Sequence, residues 1–326
     1  MPTPPSHDIP GAPSLQDIRA AHDRIREHVH VTPVVTCSTI DRVVGAQLFF
    51  KCEHLQRAGA FKYRGASNAV WSLSDEQAAR GVTTHSSGNH GGALARAARE
   101  RGIPAIIVVP KGAPAVKVEA IEGYGAQVVW CEPNLADREA TARRVIASTG
   151  ATFIHPYDDP RVIAGQATAA VELLGQVPDL DVVIAPVGGG GLMSGTALAV
   201  HALSPRTRVF GGEPAAADDA ARSLASGTLQ PSLDPDTCAD GLRTALSERT
   251  LAILRARVER IVTVDEDAIL AALRLLWERA KLPVEPSSAV ALAAICVVAP
   301  ELQGQRIGVI LSGGNVDLGQ LCNLLK

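Results

Sequence analysis

One lysine of the chain, Lys62, lies in a segment that could do covalent chemistry. Residues 59–66 (GAFKYRGA) surround it with aromatic and small side chains rather than with other charges. Aromatic neighbours such as Phe61 can exclude water from an ammonium group, which lowers its pKa and frees the amine to form a Schiff base with a carbonyl substrate or with pyridoxal phosphate. The alternative is a lysine that lays its aliphatic stem on an apolar surface. The octapeptide alone leaves both interpretations open.

A run of four glycines, residues 188–191, is the second chemical signal. It follows the apolar run 182–187 and precedes a helical pattern over 192–203. Glycines let backbone N–H groups converge on an anion, and a helix N-terminus adds partial positive charge. A dinucleotide fingerprint fails at Met193, and no Gly-Lys-Ser/Thr of a P-loop follows. The pattern predicts a site for one small phosphate, and the alternative is a tight turn without a ligand.

Two further strand-to-helix turns carry polar side chains. Residues 86–90 (SSGNH) offer hydroxyl, amide and backbone donors suited to a carboxylate, although helix capping would use the same residues. Residues 312–315 (SGGN) place Ser312 after an apolar run, where its hydroxyl could face a ring nitrogen or cap a helix. Three such turns predict a cleft lined by the carboxyl ends of strands.

These turns require an α/β fold, and the chain alternates short β-branched runs with longer amphipathic stretches throughout. We predict strands at 47–52, 81–85, 104–109, 126–130, 181–186, 207–212 and 306–311. We predict helices at 14–28, 89–101, 114–123, 135–148, 161–176, 192–203, 265–280, 286–298 and 315–325.

The length of 326 residues favours two lobes around a cleft. Because residues 73–154 hold their own strand-helix alternation, we predict that they form a small domain inserted into a large one built from residues 1–72 and 155–326. Residues 1–14 are rich in proline and polar residues, which favours a mobile arm leading to the first helix.

Composition excludes several functional classes. A net charge of -3 without long runs of one sign gives no pull toward nucleic acid or an anionic membrane, so we expect small-molecule partners. Six cysteines without a CxxC pair indicate neither a disulfide framework nor a zinc site, which fits a cytoplasmic protein. No apolar span of membrane length is present, and no signal peptide is recognisable.

Five motifs in order give the chain a family resemblance over residues 14–321. They are residues 61–66 (FKYRGA), 86–90 (SSGNH), 188–192 (GGGGL), 285–289 (EPSSA) and 312–315 (SGGN). Together they resemble the serine/threonine dehydratase and serine racemase family, which are pyridoxal phosphate enzymes of the two-domain, open-sheet tryptophan synthase β-like fold, also called fold type II. Ala60 and residues 137–139 are closest to the branch of serine racemases and hydroxyaspartate dehydratases.

The resemblance implies a role for each of these residues. Lys62 would bind the cofactor as a Schiff base and remove the substrate Cα proton. Ser87 would stand on the opposite face of Cα as a second acid or base. The implied cofactor-binding residues are Phe61, Lys62, Asn89, Gly188, Gly189, Gly190, Gly191 and Ser312. The implied substrate-binding residues are Ser86, Ser87, Asn89, His90 and Arg138, with the Arg138 guanidinium reaching a second carboxylate unless it is simply a solvated helix residue.

Residues 212–219 (GEPAAADD) are similar to the divalent-cation loop of serine racemases. The resemblance implies that Glu213, the carbonyl of Ala217 and Asp219 are ligands for Mg²⁺, Mn²⁺ or Ca²⁺, which prefer such hard oxygen donors. The alternative is an acidic helix N-terminus that complements the helix dipole.

The family resemblance predicts an ammonia-lyase. We expect β-elimination of a small 3-hydroxy amino acid, such as L-serine, L-threonine or 3-hydroxyaspartate, to a 2-oxo acid and ammonia. Serine racemisation with elimination as a side activity is the alternative, and a catalytically silent binding protein is the rival of another class. The family also implies a homodimer.

Overall fold

The computed structural model describes residues 9–113 and 115–325. Most of the predicted mobile arm, residues 1–8, lies outside the described residues. The first helix, α1 (Leu15–Ile25), begins at the predicted capping box, because Ser14 Oγ accepts from the Asp17 N–H (3.2 Å) and the Asp17 carboxylate accepts from the Ser14 N–H (2.8 Å).

The described residues form two sheets, and their strands are β1 (Val34–Val35), β2 (Gln47–Cys52), β3 (Val82–His85), β4 (Ala105–Pro110), β5 (Gln127–Cys131), β6 (Thr152–Phe153), β7 (Val182–Pro186), β8 (Arg208–Pro214), β9 (Arg260–Val264) and β10 (Arg306–Leu311). The larger sheet has the order β1-β2-β10-β7-β8-β9, and the smaller has the order β5-β4-β3-β6. Every pairing is parallel except that of β1 with β2. The predicted α/β class with an open parallel sheet is confirmed.

The helices after α1 are α2 (Ser38–Val44), α3 (Lys62–Trp71), α4 (Asp75–Arg80), α5 (Asn89–Arg101), α6 (Ala115–Gly123), α7 (Leu135–Thr149), α8 (Pro160–Gln176), α9 (Gly191–Leu203), α10 (Asp219–Ser226), α11 (Glu248–Arg257), α12 (Glu266–Leu275), α13 (Pro286–Val298) and α14 (Leu318–Leu324). The helix predicted over 265–280 is α12 followed by a π-helical turn, Leu276–Ala280. The helix predicted from residue 315 begins instead at Leu318, where Asp317 accepts from the Gln320 N–H as N-cap.

The large sheet is covered on both faces, as a parallel sheet requires. In β7, Val182 and Ile184 pack with α13 on one side, whereas Val183 and Ala185 pack with α8 and α9 on the other. A third apolar cluster joins α3, α5 and α6 to the small sheet. No helix among residues 9–113 and 115–325 is long and apolar enough to cross a membrane.

The strands of the small sheet all come from residues 82–153, inside the range predicted for the small domain. The other strands come from residues 34–52 and 182–311. The domain boundaries themselves stay a prediction. The loops that follow β3, β7 and β10 are the three polar turns identified in the sequence.

Candidate active site

A cavity of about 360 Å³ lies where these turns meet. Every residue predicted to be catalytic, cofactor-binding or substrate-binding borders it, namely Phe61, Lys62, Ser86, Ser87, Asn89, His90, Arg138, Gly188, Gly189, Gly190, Gly191 and Ser312. The three predicted metal ligands do not border it. The size suits a small-molecule ligand.

Lys62 is the first residue of helix α3, and its amine lies at the wall of the cavity. Its Nζ donates to the carbonyl oxygen of Pro156 (2.8 Å) and lies 5.0 Å from the centroid of the Phe61 ring. Burial lowers the pKa of Lys62 to about 8, against the opposing influence of the Glu285 charge. An amine with this pKa is partly unprotonated near neutral pH, so it can act as a nucleophile or a base.

The turn before Lys62 is fixed to the turn after β10. The Phe61 N–H donates to the carbonyl of Ser312 (2.9 Å), and the Gly314 N–H donates to the carbonyl of Gly59 (3.0 Å). Gly59 has a φ of +71°, and a Cβ there would lie 2.2 Å from the Asn315 side chain. The lysine is therefore held at a fixed place beside Ser312.

The glycine run forms a concave backbone surface at the start of α9. A Cβ on Gly189 would lie 2.5 Å from the Tyr157 ring, and one on Gly191 would lie 2.8 Å from the Tyr157 Cβ. Gly190 has a φ of +83°. The N–H groups of a first helical turn have no partner within the helix, so this surface can hold an anion such as a phosphate.

The loop of residues 86–90 presents its polar groups at the start of α5. The side chains of Ser86 and Ser87 are half-buried at the cavity. The His90 imidazole is buried, and its Nε2 lies 3.2 Å from the carbonyl oxygen of Ile154. Burial lowers the pKa of His90 to about 3, so the ring is neutral and donates from Nε2 to that carbonyl. Any contact from His90 to a substrate carboxylate would therefore come from its main chain.

The Asn89 side chain is held by two polar partners, Glu285 and Asn315, neither of which could be assigned from the sequence. Its Nδ2 donates to both carboxylate oxygens of Glu285 (2.9 and 3.2 Å), and its Oδ1 accepts from Asn315 Nδ2 (2.9 Å). Burial raises the pKa of Glu285 to about 7. The Glu-Pro pair at the start of α13 was visible in the sequence as part of a motif, but its contact with Asn89 crosses 196 residues.

Ser312 is buried at the cavity. Its Oγ lies 3.0 Å from Ser288 Oγ. Ser288 Oγ in turn donates to the carbonyl of Gly313 and accepts from the Gly313 N–H, both at 2.7 Å. Ser288 thus clamps the turn that presents the Ser312 hydroxyl.

A comparison with protein families identifies the fold and its chemistry. The model of the family described as pyridoxal-phosphate dependent enzyme matches residues 25–313. The chain belongs to this family. The predicted family, its α/β fold and pyridoxal phosphate as the cofactor are thereby confirmed.

Individual members of this family are similar to the chain over nearly its full length. A β-hydroxyaspartate dehydratase of Paracoccus denitrificans is 48% identical over 309 residues, which cover 95% of this chain and 98% of the relative. A serine racemase of Arabidopsis thaliana is 47% identical over 320 residues, with 97% of each covered. The solved structure of maize serine racemase has a TM-score of 0.93 at 46% identity and covers 96% of each chain.

The residues of the cavity fit pyridoxal phosphate. The backbone surface at 188–191, which side chains would fill, suits its phosphate, and the Lys62 amine suits its aldehyde. Phe61 provides an apolar ring beside the lysine. Ser312 can pair with a ring nitrogen through its hydroxyl.

The sequence analysis missed the segment after β6, residues 154–157, which contacts the site at every position. The Ile154 carbonyl meets His90, the His155 ring borders the cavity, the Pro156 carbonyl meets Lys62, and the Tyr157 ring packs on the glycine run. No glycine or motif marks this segment. The preceding strand has only two residues, so periodicity could not reveal it.

Arg138 lies on α7 at the cavity wall. It makes no ion pair with any residue in 9–113 or 115–325, and its buried Nε has no hydrogen-bond partner there. Burial lowers the pKa of His85, and the Arg138 charge lowers it further. The side chain therefore brings a positive charge without a direct ion pair to the cavity wall, which Glu139 also borders.

The predicted cation loop brings two buried carboxylates, Glu213 and Asp219, together outside this cavity. Both carboxylate oxygens of Glu213 accept backbone N–H groups, from Ala220 (2.9 Å) and Ala221 (2.8 Å). The Asp219 carboxylate oxygens are buried without a hydrogen-bond partner among the described residues. Burial raises the pKa of Glu213 to about 8 and that of Asp219 to about 6. The part of the chain that the structure describes has no group of three or more His, Cys, Asp or Glu side chains placed for a metal, so a cation here would also need main-chain or water oxygens.

Proposed function

We propose that the chain catalyses the pyridoxal phosphate-dependent β-elimination of a small 3-hydroxy amino acid, which yields a 2-oxo acid and ammonia. The observation that carries the proposal is the Lys62 amine, which borders one cavity with both the glycine run and the loop 86–90. The dehydratase relative supports an elimination reaction. Serine racemisation is the second candidate, supported by the racemase relatives and by Ser87 at the same cavity.

Bound pyridoxal phosphate supplies an electron sink for the negative charge that develops at Cα. Lys62 is the base that removes the Cα proton, since its lowered pKa leaves part of the amine free near neutral pH. The Pro156 carbonyl orients the Nζ lone pair by accepting one of its protons. The backbone and hydroxyl donors of Ser86, Ser87 and Asn89 bind the substrate carboxylate, and Ser312 and Asn89 orient the cofactor ring.

Incubation of the holoenzyme with L-serine, with 2-oxo acid and D-serine both measured, separates the two candidates. We expect 2-oxo acid to form faster than D-serine. Faster D-serine formation that Ser87→Ala abolishes would instead establish racemisation. Absence of the yellow Schiff-base chromophore after pyridoxal phosphate is supplied would overturn both candidates.

We further propose that Arg138 binds the distal carboxylate of a dicarboxylic substrate such as 3-hydroxyaspartate. The support is its position at the cavity wall, where its guanidinium has no ion pair with any described residue and its Nε has no hydrogen-bond partner among them. Arg138→Ala should reduce kcat/KM for 3-hydroxyaspartate by about 10- to 100-fold, the value of a charge-assisted hydrogen bond, and should leave L-serine turnover nearly unchanged. Arg143→Ala is the matched control, because Arg143 lies on the same helix and is exposed beside Glu139. Equal losses on both substrates would overturn the proposal.

We propose a divalent-cation site at Glu213, the Ala217 carbonyl and Asp219. The buried oxygens of Asp219 without partners support it, since burial of an unpaired carboxylate is costly. Adding Mg²⁺ or Ca²⁺ should raise the Tm of the holoenzyme, and Asp219→Asn should remove that increase. Asp218→Asn is the control, because Asp218 pairs with Arg222 instead. The same increase in both variants would refute the site.

We also propose a cytoplasmic homodimer with a small domain over 73–154 inside a large domain formed by 1–72 and 155–326. All six cysteines are free, which supports a reducing compartment.

Sedimentation equilibrium tests the dimer, and a monomer at micromolar concentration would refute it. Limited proteolysis tests the domain boundaries, which predict first cuts near residues 72 and 155.

A further inference from the structure

His155 has its two ring nitrogens in different environments. Nδ1 accepts the backbone N–H of Asp158 (2.8 Å) and that of Tyr157 (3.3 Å). A nitrogen that accepts hydrogen bonds carries no proton, so the hydrogen of the neutral ring must be on Nε2. The turn after β6 therefore fixes the tautomer.

The Nε2–H of His155 is available to a ligand. The ring borders the cavity, and its Nε2 is not fully buried. No residue in 9–113 or 115–325 forms a hydrogen bond with this atom. The Tyr157 ring packs edge-on against it with centroids 4.6 Å apart, and the His85 ring packs likewise at 6.2 Å. The imidazole thus presents a donor from a fixed position. His90, in contrast, uses its Nε2 within the protein.

His155 is neutral near neutral pH. Burial lowers its pKa to about 4, helped by the nearby positive charge of Lys62 and by His85, while Asp158 and Asp159 act in the opposite direction. Protonation would also require Nδ1 to give up two backbone hydrogen bonds. The ring therefore offers a hydrogen-bond donor without a charge.

His85 lies close to both Arg138 and His155, and all three residues border the cavity. The Arg138 charge acts on His85, and the His85 ring contacts the His155 ring. A distal carboxylate at this part of the cavity wall would accept one charged donor from Arg138 and one neutral donor from His155, without a second positive charge beside Lys62. L-Serine and L-threonine have no second carboxylate that would bind there.

We propose that His155 is a substrate-binding residue that selects dicarboxylic substrates, donating from Nε2 to the distal carboxylate that Arg138 attracts. The inference rests on the proposed function and names the substrate class of that site. It makes the subsite a pair of residues from α7 and from the segment after β6. The sequence analysis assigned only the first.

Two substitutions divide the roles of the imidazole. In His155→Asn the side-chain oxygen replaces Nδ1 as the acceptor of the turn, while the distal donor is lost. In His155→Gln the amide nitrogen lies near the place of Nε2, so the donor is kept. We expect His155→Asn to raise KM for 3-hydroxyaspartate by about 10- to 100-fold with little change in kcat, and to leave KM for L-serine within about twofold. His155→Gln should recover most of this loss.

The pH dependence distinguishes a neutral donor from a cation. The ratio of KM values for His155→Asn and wild type cancels the titration of groups common to both enzymes. With a neutral donor this ratio is constant between about pH 5.5 and 8.5, because the pKa of His155 is about 4. A ratio that falls as pH rises would show imidazolium binding and overturn the proposal. Equal losses on both substrates would show a structural role and overturn it too.

Binding of succinate to the holoenzyme tests the subsite without catalysis, with butyrate as the monocarboxylate of equal length. We expect calorimetry to show tighter binding of succinate, and His155→Asn and Arg138→Ala each to remove the preference. If both acids bind equally to wild type, the subsite is refuted even when the enzyme is active. If succinate is preferred but no hydroxy amino acid is consumed, the proposed reaction fails and the subsite stands.

Discussion

Lys62 and Arg64 are two residues apart in helix α3, yet their cationic groups have opposite surroundings. Arg64 is fully buried and ion-paired with two carboxylates, through Nε to Glu53 (2.7 Å) and through Nη1 to Glu172 (2.7 Å). Lys51 completes this buried ion network by pairing with Glu172 (2.6 Å). Among residues 9–113 and 115–325, the Lys62 amine has only neutral neighbours in direct contact, the Pro156 carbonyl and the face of the Phe61 ring.

The difference appears in the ionisation of the two regions. Burial alone would raise the pKa of Glu172, but its hydrogen bonds and ion pairs with Arg64 and Lys51 lower it, so the Glu172 carboxylate stays charged. Burial without a paired charge lowers the pKa of Lys62 to about 8. Paired buried charges fix the position of α3, and the unpaired amine at its first residue keeps its reactivity. In this helix a structural cation and a reactive amine differ in ion pairing, although they are only two residues apart.

The largest effect should come from removing the unpaired group. Lys62→Ala should lower kcat by on the order of 10⁴-fold or more, because the proposed function uses this one amine as both cofactor anchor and base. Its unfolding free energy should stay near that of wild type, since no buried charge loses a partner. Elimination assays and urea unfolding measure both. A variant that loses stability as well as activity would contradict the separation.

Breaking the paired region should have the reverse profile. Glu172→Gln should reduce the free energy of unfolding by roughly 3–5 kcal/mol, because Arg64 and Lys51 then share too little negative charge in a dry environment. Glu259→Gln is the control, since Glu259 pairs with Arg208 at the surface, where the loss is about 0–1 kcal/mol. Urea unfolding of both variants gives the difference. Equal losses would show that the buried network does not stabilise α3.

The sequence predicts the reactive residues of this helix better than it predicts their support. The seven predicted strands agree with the structure within two residues, because buried parallel strands are continuous apolar runs. The strand β9 (Arg260–Val264) was missed because it is a half-exposed edge strand with charged and polar residues. Helix α3 was missed because its buried face includes Arg64, Ser67 and Asn68, which read as polar in sequence.

The candidate site shows the same division. Glycine turns are local signals, so the residues of 86–90, 188–191 and 312–315 could be predicted to meet. The partners of these residues could not, since Glu172 is 108 residues from Arg64 and Pro156 is 94 residues from Lys62. Pairing across such distances depends on the packing of α3 against α8 and on the path after β6. Neither leaves a pattern in the sequence.

The smallest of the three effects is a shift in the pH at which the Lys62 amine becomes reactive. Only the unprotonated amine attacks an aldehyde, so the rate at which the apoprotein forms the yellow Schiff base should rise with pH to a midpoint near 8. At pH 7 about one amine in ten is then free, compared with about one in 3,000 for a lysine of pKa 10.5. Stopped-flow absorbance across pH 6–10 measures the midpoint. A midpoint near 10.5 would show that the amine is not desolvated.

Glu285 provides the variant that sharpens this measurement. Its negative charge favours the ammonium form of Lys62, and with a pKa of about 7 the carboxylate is largely ionised at pH 8. Glu285→Gln should therefore move the midpoint below 8, by less than about one pH unit, which corresponds to about 1.4 kcal/mol. Glu139→Gln, at the border of the same cavity, should leave the midpoint unchanged. An upward shift in Glu285→Gln would mean that the substitution lets water reach the Lys62 amine. The Glu285 charge would then not control the pKa of Lys62, and the contrast in ion pairing between Lys62 and Arg64 would not explain the low pKa.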